Sequence, residues 1–502
     1  MNLASRFAAS TQKHMEKAAL FWGDRSYSYS ELWSQTLFVA SVLRQQFSVG
    51  PGDRVALWMK NCPEFIPSLF GVLHTGAVVV PINNFLKPAE VSYILNDAGA
   101  DLIITDHDLS THYDRLHSAR PSLEFVDAEQ VLSTFPVAPP GVKMDTEILK
   151  NPARQTTDLA VLIYTSGTTG RPKGAMLSHG NLLHNIESCR LCLQTVPEDR
   201  FAVLLPMFHS YMLTVGLFLP LFIGGSIVLV KSLHPMRNAM QEIYSRQATV
   251  LPGIPALYRS LVHAEISTPL PLRICVSGSA PLPVQVLREF EEKFGIPLIE
   301  GYGLSEASPV VAKNPLDRTR KPGSVGLPIP NVEMSVQDEY GRKLGAMELG
   351  EICVRGGNVM MGYWNQMEES AKAFREDWLL TGDMGYRDEE GCYYITDRKK
   401  DMLLVNGNNV YPREIEEVIY QFPNVKEAAV VGLPDARRGE QPVAFVVPIE
   451  DGAVEENTLL TFVRSRLADY KVPRRVVFLQ ALPRNDTGKV LKTELRKHDF
   501  TN

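Results

Sequence analysis

The sequence has few cysteines, no excess of basic residues and no low-complexity segment. Its 502 residues carry a formal net charge of −6, and the isoelectric point is near 6.1. This balance argues against a nucleic-acid-binding protein, because such proteins are usually basic. Among the six scattered cysteines, only Cys189 and Cys192 have metal-like spacing. Without a second pair or nearby histidines they are predicted to be buried helix residues rather than zinc ligands, in a reduced, cytoplasmic protein.

The N-terminus lacks the continuous apolar stretch of a secretory signal. Its basic, acid-poor start resembles a transit peptide, but a first surface helix with Leu3 and Phe7 on one face is the better interpretation. Residues 201–230 contain no Asp, Glu, Lys or Arg and would be long enough to span a membrane. Because prolines and a Gly-Gly pair divide this run into short pieces, we expect core strands and a helix instead.

The chain is too long for one ordinary core, so two or more domains are expected. Over the first 300 residues, short apolar runs alternate with helical stretches, which predicts an α/β fold of helix-covered, largely parallel sheets. After residue 314, short strands between glycine turns predict a small barrel. The charged segment 397–401, "DRKKD", predicts a hinge. We therefore expect an N-terminal domain over 1–396 and a small, mobile α+β domain over 402–502.

The stretch "YTSGTTGRPKG", residues 164–174, directly follows the apolar run "LAVLI". Its glycines and proline break helix and strand patterns. Backbone N–H groups, hydroxyls and Lys173 are typical of a loop that binds phosphate. The motif is not a Walker P-loop, because Gly170 is followed by Arg-Pro-Lys-Gly. A flexible linker is the alternative, but the preceding strand places the motif where parallel sheets bind ligands.

Further stretches carry candidate polar groups: "PMFHS", "SGSAPL", "GYGLSEAS", "TGD" and "PRNDTGK". The carboxylate of Glu306 suits a hard cation such as Mg²⁺, and that of Asp383 suits ribose hydroxyls. Taken singly, each stretch is more often an ordinary turn or surface segment. His209 in "PMFHS" is as readily a core histidine as a functional one.

In this order, and together with "DRKKD" and "YPREIEE", the stretches resemble the adenylate-forming superfamily over residues 20–497. That superfamily includes acyl-CoA synthetases, firefly-type luciferases and the adenylation domains of peptide synthetases. The chain looks most like bacterial medium- or long-chain fatty acid–CoA ligases. Such enzymes activate a carboxylate with ATP and Mg²⁺ to an acyl-adenylate and pyrophosphate, and then pass the acyl group to a thiol.

The resemblance implies an ATP site. The implied contacts of the β- and γ-phosphates are Thr165, Ser166, Gly167, Thr168, Thr169 and Lys173. The adenine would lie between the turn Ser279-Ala280-Pro281 and Gly301-Tyr302-Gly303, with Ser305 on the α-phosphate. Asp383 and Arg398 would bind the ribose, and Thr165 and Glu306 would bind Mg²⁺.

The resemblance also implies catalytic and conformational roles. Lys489 would stabilise charge during adenylation, and His209 would close over the acyl pocket. Lys400 matches the hinge position, and Gly407 the loop that forms the pantetheine channel after the small domain swings. Two residues depart from the common pattern: Asn406 and Ser279 stand where glycines are common, which loosens the coenzyme A assignment and the adenine contact respectively.

We therefore predict an enzyme that converts a carboxylic acid to its acyl-CoA with ATP, Mg²⁺ and coenzyme A. The apolar segment "YMLTVGLFLPLF" predicts an apolar wall of the substrate pocket and so favours a fatty acid. An aryl or short carboxylate, and a carrier protein or amine as final acceptor, remain alternatives. A non-enzymatic ATP- or acyl-adenylate-binding regulator is disfavoured, because Lys489, Glu306 and Asp383 are all present. We expect no nucleic-acid partner and no transmembrane segment. A transient contact with a membrane surface is compatible with the sequence, and the expected oligomeric state is a monomer or a homodimer.

Overall fold

The computed structural model describes residues 1–135, 154–166, 171–232, 235–266, 268–316, 320–435, 437–449, 454–484 and 489–498. Its α-helices are α1 Leu3–His14, α2 Tyr29–Phe47, α3 Phe65–Thr75, α4 Pro88–Ala98, α5 Tyr113–Ala119, α6 Ala128–Ser133, α7 His179–Leu193, α8 Leu219–Ile223, α9 Met236–Ser245, α10 Pro255–His263, α11 Val284–Phe294, α12 Met367–Ala373, α13 Pro412–Tyr420, α14 Glu456–Arg464 and α15 Lys492–Leu495. A π-helical segment, Met212–Phe218, leads into α8, and 3₁₀ turns lie at Leu109–His112, Ser305–Ala307 and Asp469–Lys471.

The strands follow the predicted alternation with helices. They are β1 Ala18–Trp22, β2 Arg25–Ser28, β3 Arg54–Trp58, β4 Val78–Pro81, β5 Leu102–Thr105, β6 Glu124–Asp127, β7 Leu159–Ser166, β8 Pro172–Ser178, β9 Arg200–Val203, β10 Ser226–Leu229, β11 Val250–Gly253, β12 Ile274–Ser277, β13 Leu298–Gly303, β14 Val310–Lys313, β15 Leu327–Pro328, β16 Val332–Gln337, β17 Gly350–Gly356, β18 Phe374–Arg375, β19 Trp378–Arg387, β20 Tyr393–Arg398, β21 Leu403–Val405, β22 Asn408–Val410, β23 Val425–Asp435, β24 Gly439–Pro448 and β25 Arg475–Phe478.

Two large sheets dominate the first 330 residues. One has the order β15-β14-β13-β12-β11-β9-β10-β1-β2, and the other β6-β5-β3-β4-β7-β8. Their inner strands pair in parallel, and antiparallel strands close the edges at β2, β8, β14 and β15. Strands such as β4, β5 and β10 are buried throughout, as strands covered by helices on both faces must be. The predicted α/β fold is confirmed.

The uncharged run 201–230 lies in the core. It supplies β9, the π-helical segment, α8 and β10. The π-helical segment, α8 and one face of β9 and β10 belong to a buried cluster shared by both large sheets, and the other face of β9 and β10 belongs to a second buried cluster. No helix in the described ranges is long and apolar enough to cross a membrane. Cys189 and Cys192 both lie on α7, with Cys189 buried and Cys192 half-buried.

The later part of the chain forms two smaller sheets. Antiparallel strands β16-β17-β19-β18, with β20 beside β19, make the predicted small barrel-like sheet. The last sheet, β22-β21-β24-β23 with β25 beside β24, has its own apolar clusters, which start at Leu403 and end at Leu495. The domain boundaries, 1–396 and 402–502, and the hinge at 397–401 stay predictions.

One buried carboxylate connects, through hydrogen bonds, the residues that directly precede three strands of the nine-stranded sheet. Asp199, which precedes β9, is 2% exposed. It accepts hydrogen bonds from the guanidinium of Arg273 at 2.5 and 2.7 Å and from the Thr249 hydroxyl at 2.8 Å. Thr249 precedes β11, and Arg273 precedes β12. Because a buried carboxylate accepts these charge-assisted hydrogen bonds, the cluster should matter for stability.

We expect Asp199→Ala to lower the free energy of unfolding by about 2–4 kcal/mol, since it removes charge-assisted hydrogen bonds at a buried site. Arg190→Ala is the matched control, because its ion pair with Glu187 lies on the surface of α7 and should contribute little. Urea unfolding followed by circular dichroism measures both changes. A loss no larger for Asp199→Ala than for Arg190→Ala would contradict the role of the cluster.

Candidate active site

The described ends of the predicted phosphate-binding motif lie in two antiparallel strands. In the antiparallel pairing of β7 with β8, Thr165 is opposite Lys173 and Ser166 is opposite Pro172. The expectation that this stretch forms no strand is therefore wrong at both ends, because threonine favours strands and proline is tolerated as a strand's first residue. Three predicted phosphate contacts lie outside the described residues: Gly167, Thr168 and Thr169.

Lys173 is buried on β8, with 7% of its surface exposed. Its ammonium forms an ion pair with the carboxylate of Glu369 on α12 and lies 5.5 Å from the centre of the Tyr363 ring. The hydrogen bond from Lys173, followed by that from Lys372, lowers the pKa of Glu369 to about 2. The charge of Lys173 is thus held in place and compensated by a carboxylate of α12, the helix that precedes β18.

The carboxylate of Glu306 is the point where three segments meet. Its Oε1 accepts hydrogen bonds from the Thr165 hydroxyl at 3.3 Å and from the Tyr363 hydroxyl at 3.0 Å. The two predicted metal ligands are therefore neighbours, with oxygens separated by close to the roughly 3 Å expected between adjacent ligands of an octahedral Mg²⁺. Within the described residues no group of three or more His, Cys, Asp or Glu side chains could hold a metal. One carboxylate plus a hydroxyl fits Mg²⁺, which is usually bound by few protein oxygens together with substrate phosphates.

Two fully buried asparagines hold the turn that carries Ser305 and Glu306. The Asn185 amide on α7 donates to the Val310 carbonyl at 2.6 Å, and its oxygen accepts the Val310 N–H at 3.2 Å. The Asn358 amide donates to the Ala307 carbonyl at 2.9 Å. These contacts satisfy buried backbone groups that would otherwise be costly. Sequence reasoning missed both residues, because a lone asparagine carries no motif.

His209 lies beside this turn, at the start of the segment that leads to the π-helix. Its neighbour Ser210 shares a hydrogen bond of 2.9 Å with Ser305. The His209 ring is half-buried, and burial lowers its pKa to about 4, so the ring is neutral at pH 7. Tyr211 is buried, donates to the Val276 carbonyl at 2.9 Å and packs on Gly278, where a Cβ would lie 3.3 Å from the ring.

The predicted ribose-binding pair is assembled on neighbouring strands. Asp383 on β19 is directly opposite Arg398 on β20, and its Oδ1 lies 3.5 Å from the Arg398 Nε. The Tyr302 hydroxyl donates to the Asp383 Oδ2 at 2.6 Å. The alternative interpretation of "TGD" as a turn is wrong, since all three residues lie within β19. Tyr302, Asp383 and Arg398 thus form one connected group.

The predicted adenine turn lies next to this group. Strands β12 and β13 run parallel with Ser277 beside Glu300, so Ser279-Ala280-Pro281 and Gly301-Tyr302-Gly303 follow adjacent strand positions. Ser279 has a φ of +67°, in the left-handed region that favours glycine. This backbone requirement explains why glycine is common at the position. The Leu282 N–H donates to the Glu300 carboxylate at 3.0 Å and anchors the turn to β13.

Lys489 reaches the same region from the C-terminal part of the chain. Although part of its side chain is exposed, desolvation of its ammonium by the surrounding protein is the main cause that lowers its pKa to about 8. The charges of Arg398 and Lys400 lower the pKa further, while Asp383 and Asp401 oppose them. Gly407 forms the exposed turn between β21 and β22 with a φ of +78°, and a Cβ there would meet open space. Its predicted channel role stays a prediction.

The cleft therefore combines the buried cation of Lys173, the two predicted metal ligands, the carboxylate predicted to bind ribose and the cation of Lys489. Such a set can bind a nucleoside polyphosphate and stabilise charge at its α-phosphate. Sequence reasoning missed Tyr363 and Glu369, which contact the predicted residues from a segment with no recognised motif. The run "MMGYWN" offered a weak signal, since two aromatic residues follow a glycine at the end of a short apolar stretch.

Comparisons with known proteins agree with this geometry. Residues 7–364 match the AMP-binding enzyme family, and residues 414–489 match the AMP-binding enzyme C-terminal domain. The long-chain-fatty-acid–CoA ligase of Bacillus subtilis is 37% identical, with 100% of this chain and 95% of that protein covered. The feruloyl-CoA synthase of an Amycolatopsis species is 34% identical, with coverage of 95% and 94%.

Solved structures share the same arrangement. The crystal structure of ATP-bound MatB from Rhodopseudomonas palustris aligns with a TM-score of 0.88 and 33% identity over 99% of each chain. The first family match covers the large sheets and the second the C-terminal part, while the two relatives and the MatB structure each cover at least 95% of this chain. This chain belongs to the family of AMP-binding, adenylate-forming enzymes.

Proposed function

We propose that the protein is an ATP-dependent fatty acid–CoA ligase. The observation that carries the proposal is that four predicted site residues converge in one cleft. They are Lys173 and Glu306, proposed to act at the phosphates, Asp383, proposed to bind the ribose, and Lys489 from the small C-terminal part. The names of the relatives support coenzyme A as acceptor. The location in the cytoplasm and the oligomeric state, monomer or homodimer, stay predictions.

In the first half-reaction, a carboxylate oxygen of the substrate attacks the α-phosphorus of ATP. The bond from that phosphorus to the oxygen bridging to the β-phosphate breaks, and pyrophosphate leaves with the bonding electrons. Lys173 holds the departing phosphates, and Lys489 neutralises the negative charge that builds at the carboxylate and α-phosphate. Glu306 and Thr165 would hold Mg²⁺, which would supply further compensation of phosphate charge.

In the second half-reaction, the thiol of coenzyme A loses its proton, and its sulfur attacks the acyl carbonyl carbon. The bond from that carbon to the phosphate oxygen breaks, and AMP leaves. The small domain would turn about Lys400, so that the loop at Gly407 replaces Lys489 at the cleft. The His209 ring would lie against the acyl group. Because the ring is neutral at pH 7, it would not form an ion pair with the substrate carboxylate.

The substrate is proposed to be a fatty acid because the segment that follows His209, from Met212 to Phe218, is buried throughout and apolar except for Thr214. An aryl carboxylate is the second candidate, since the feruloyl-CoA synthase is nearly as similar as the fatty acid ligases. The flat ring of Tyr211 packed on Gly278 is also compatible with an aromatic substrate.

A carboxylate panel tests the proposal. With ATP and Mg²⁺, we expect octanoate and palmitate to release pyrophosphate fastest, benzoate and ferulate more slowly, and glycine or aspartate least. Acyl-CoA and AMP should accumulate only when coenzyme A is added. Faster turnover of the aryl acids would favour the second candidate. Faster turnover of amino acids, or pyrophosphate release without any acyl-CoA, would contradict the proposed ligase.

The pH dependence of the first half-reaction tests Lys489. Because its pKa is lowered to about 8, the charged form is present below that pH and is lost as pH rises through it. The adenylation rate should therefore fall above about pH 8, and Lys489→Arg, which stays charged, should not show this fall. Lys489→Ala should slow adenylation about 10²–10³-fold and still convert supplied acyl-adenylate and coenzyme A to thioester.

Lys497→Ala is the control, because Lys497 is an exposed lysine of the same segment that pairs only locally with Glu494. Single-turnover measurements of each half-reaction give both rates. An alkaline limb retained in Lys489→Arg, or equal losses in the two half-reactions for Lys489→Ala, would refute the assigned role.

A further inference from the structure

Two buried arginines cross between the large N-terminal part and the small C-terminal part. Arg413 lies on α13 of the small part and reaches the large one, while Arg259 lies on α10 of the large part and reaches the small one. They are 9% and 8% exposed, respectively. Buried guanidinium groups need partners for their charge and for their N–H groups, and each finds these partners across the boundary.

Arg413 is held by groups on three elements. Its guanidinium donates to the Ile395 carbonyl on β20 at 2.8 Å and lies 3.8 Å from the Glu300 carboxylate on β13. Its backbone N–H donates to the Asp397 carboxylate at 3.0 Å. On its own helix, Glu417 lies 4.0 Å away. The start of α13 is thus fixed to the large sheet and to the last strand before the predicted hinge.

Glu300 depends on this contact. The residue is 2% exposed, one carboxylate oxygen accepts the Leu282 N–H, and the other finds no hydrogen-bond donor among the described residues. Burial raises the pKa of Glu300 to about 7, while Arg413 acts against this rise. If α13 moved away, the carboxylate would lose its nearby cation. The nucleotide-side strand β13, which carries Tyr302, therefore has a direct electrostatic contact with the small part.

Arg259 makes the reciprocal contact. Its guanidinium donates to the Lys426 carbonyl on β23, lies 3.8 Å from the Glu427 carboxylate and sits 5.0 Å from the centre of the Tyr420 ring. Glu427 is also paired with Arg484 at 2.9 Å. The two arginines therefore clamp opposite ends of α13, which begins at Pro412 and ends at Tyr420.

The segment that carries Lys489 is attached to the same helix. Lys492 forms a 2.8 Å ion pair with Glu416 on α13, and Arg496 donates to the Asp401 carboxylate at 2.9 Å. Because Lys492 and Glu416 both lie in the small part, and Asp401 is the last residue of the predicted hinge before it, Lys489 and α13 should move together. The position of α13 against the large sheet therefore determines whether Lys489 reaches Asp383.

We infer that Arg413 with Glu300, and Arg259 with Glu427, form an interdomain lock that holds the small domain in the orientation for adenylation. The inference rests on the proposed function and adds to it: these four are positioning residues, and they set how readily the enzyme leaves the first half-reaction for the second. No one of them contacts the reacting atoms. Weakening the lock should lower the fraction of molecules in which Lys489 faces the cleft.

The variants Arg413→Ala and Arg259→Ala should slow adenylation about tenfold to a hundredfold, since each removes hydrogen bonds to a charged group. Thioester formation from supplied acyl-adenylate and coenzyme A should be unchanged or faster, because that step needs the lock open. Arg259→Lys, which keeps the charge, should recover part of the lost adenylation rate. Arg288→Ala, at an exposed arginine of α11, is the matched control and should leave both rates unchanged.

Single-turnover rates of both half-reactions are measured for each variant, with thermal unfolding as the check on folding. If Arg413→Ala does not fold, Arg259→Ala and Glu427→Gln decide the question. Loss confined to adenylation supports the lock. Unchanged adenylation in folded variants, or equal loss in both half-reactions, overturns it. Failure of the wild-type protein to release pyrophosphate with any carboxylate would instead count against the proposed function.

Discussion

The cleft between the two parts of the chain depends on the compensation of buried charge. Lys173 is held by Glu369, Asp383 by Arg398 and Tyr302, and Glu300 by Arg413. A charge removed from water costs several kcal/mol unless a partner compensates it. The Lys173–Glu369 and Glu300–Arg413 pairs each join residues more than a hundred positions apart in the sequence. The cleft therefore forms only when the two large sheets, the small antiparallel sheet and the C-terminal part have all assembled.

This constraint also describes how a nucleotide would enter. If Lys173 binds the departing phosphates as proposed, it must exchange the carboxylate of Glu369 for phosphate oxygens. Asp383 must likewise share its Oδ2 between the Tyr302 hydroxyl and a ribose hydroxyl. In both cases one charge-assisted hydrogen bond replaces another of similar strength. Binding then costs little electrostatic free energy, and the side chains are already oriented before the nucleotide arrives.

Local patterns predicted the elements but not the contacts between them. The alternation of apolar runs with helical stretches predicted β3, β4, β5 and β10, because parallel strands buried on both faces read as continuous apolar segments. The order of motifs indicated the family. The hairpin at Thr165 and Lys173 was missed, because composition suggested a loop and strand pairing overrode it. Asn185, Asn358 and Arg413 were missed because their partners lie far away in sequence, where no spacing rule applies.

The attachment of Lys489 to α13 explains why one hinge could serve both half-reactions. Lys492 and Glu416 fix the lysine's segment to the helix, and Arg413 fixes the helix to β13 and β20. A rigid turn of the small domain about 397–401 would therefore separate Lys489 from Asp383 and Arg413 from Glu300 in the same movement. The loss of charge compensation at Glu300 opposes that turn. In the proposed mechanism, the departure of pyrophosphate would reduce the negative charge that attracts Lys489, and the balance would shift toward release of the helix.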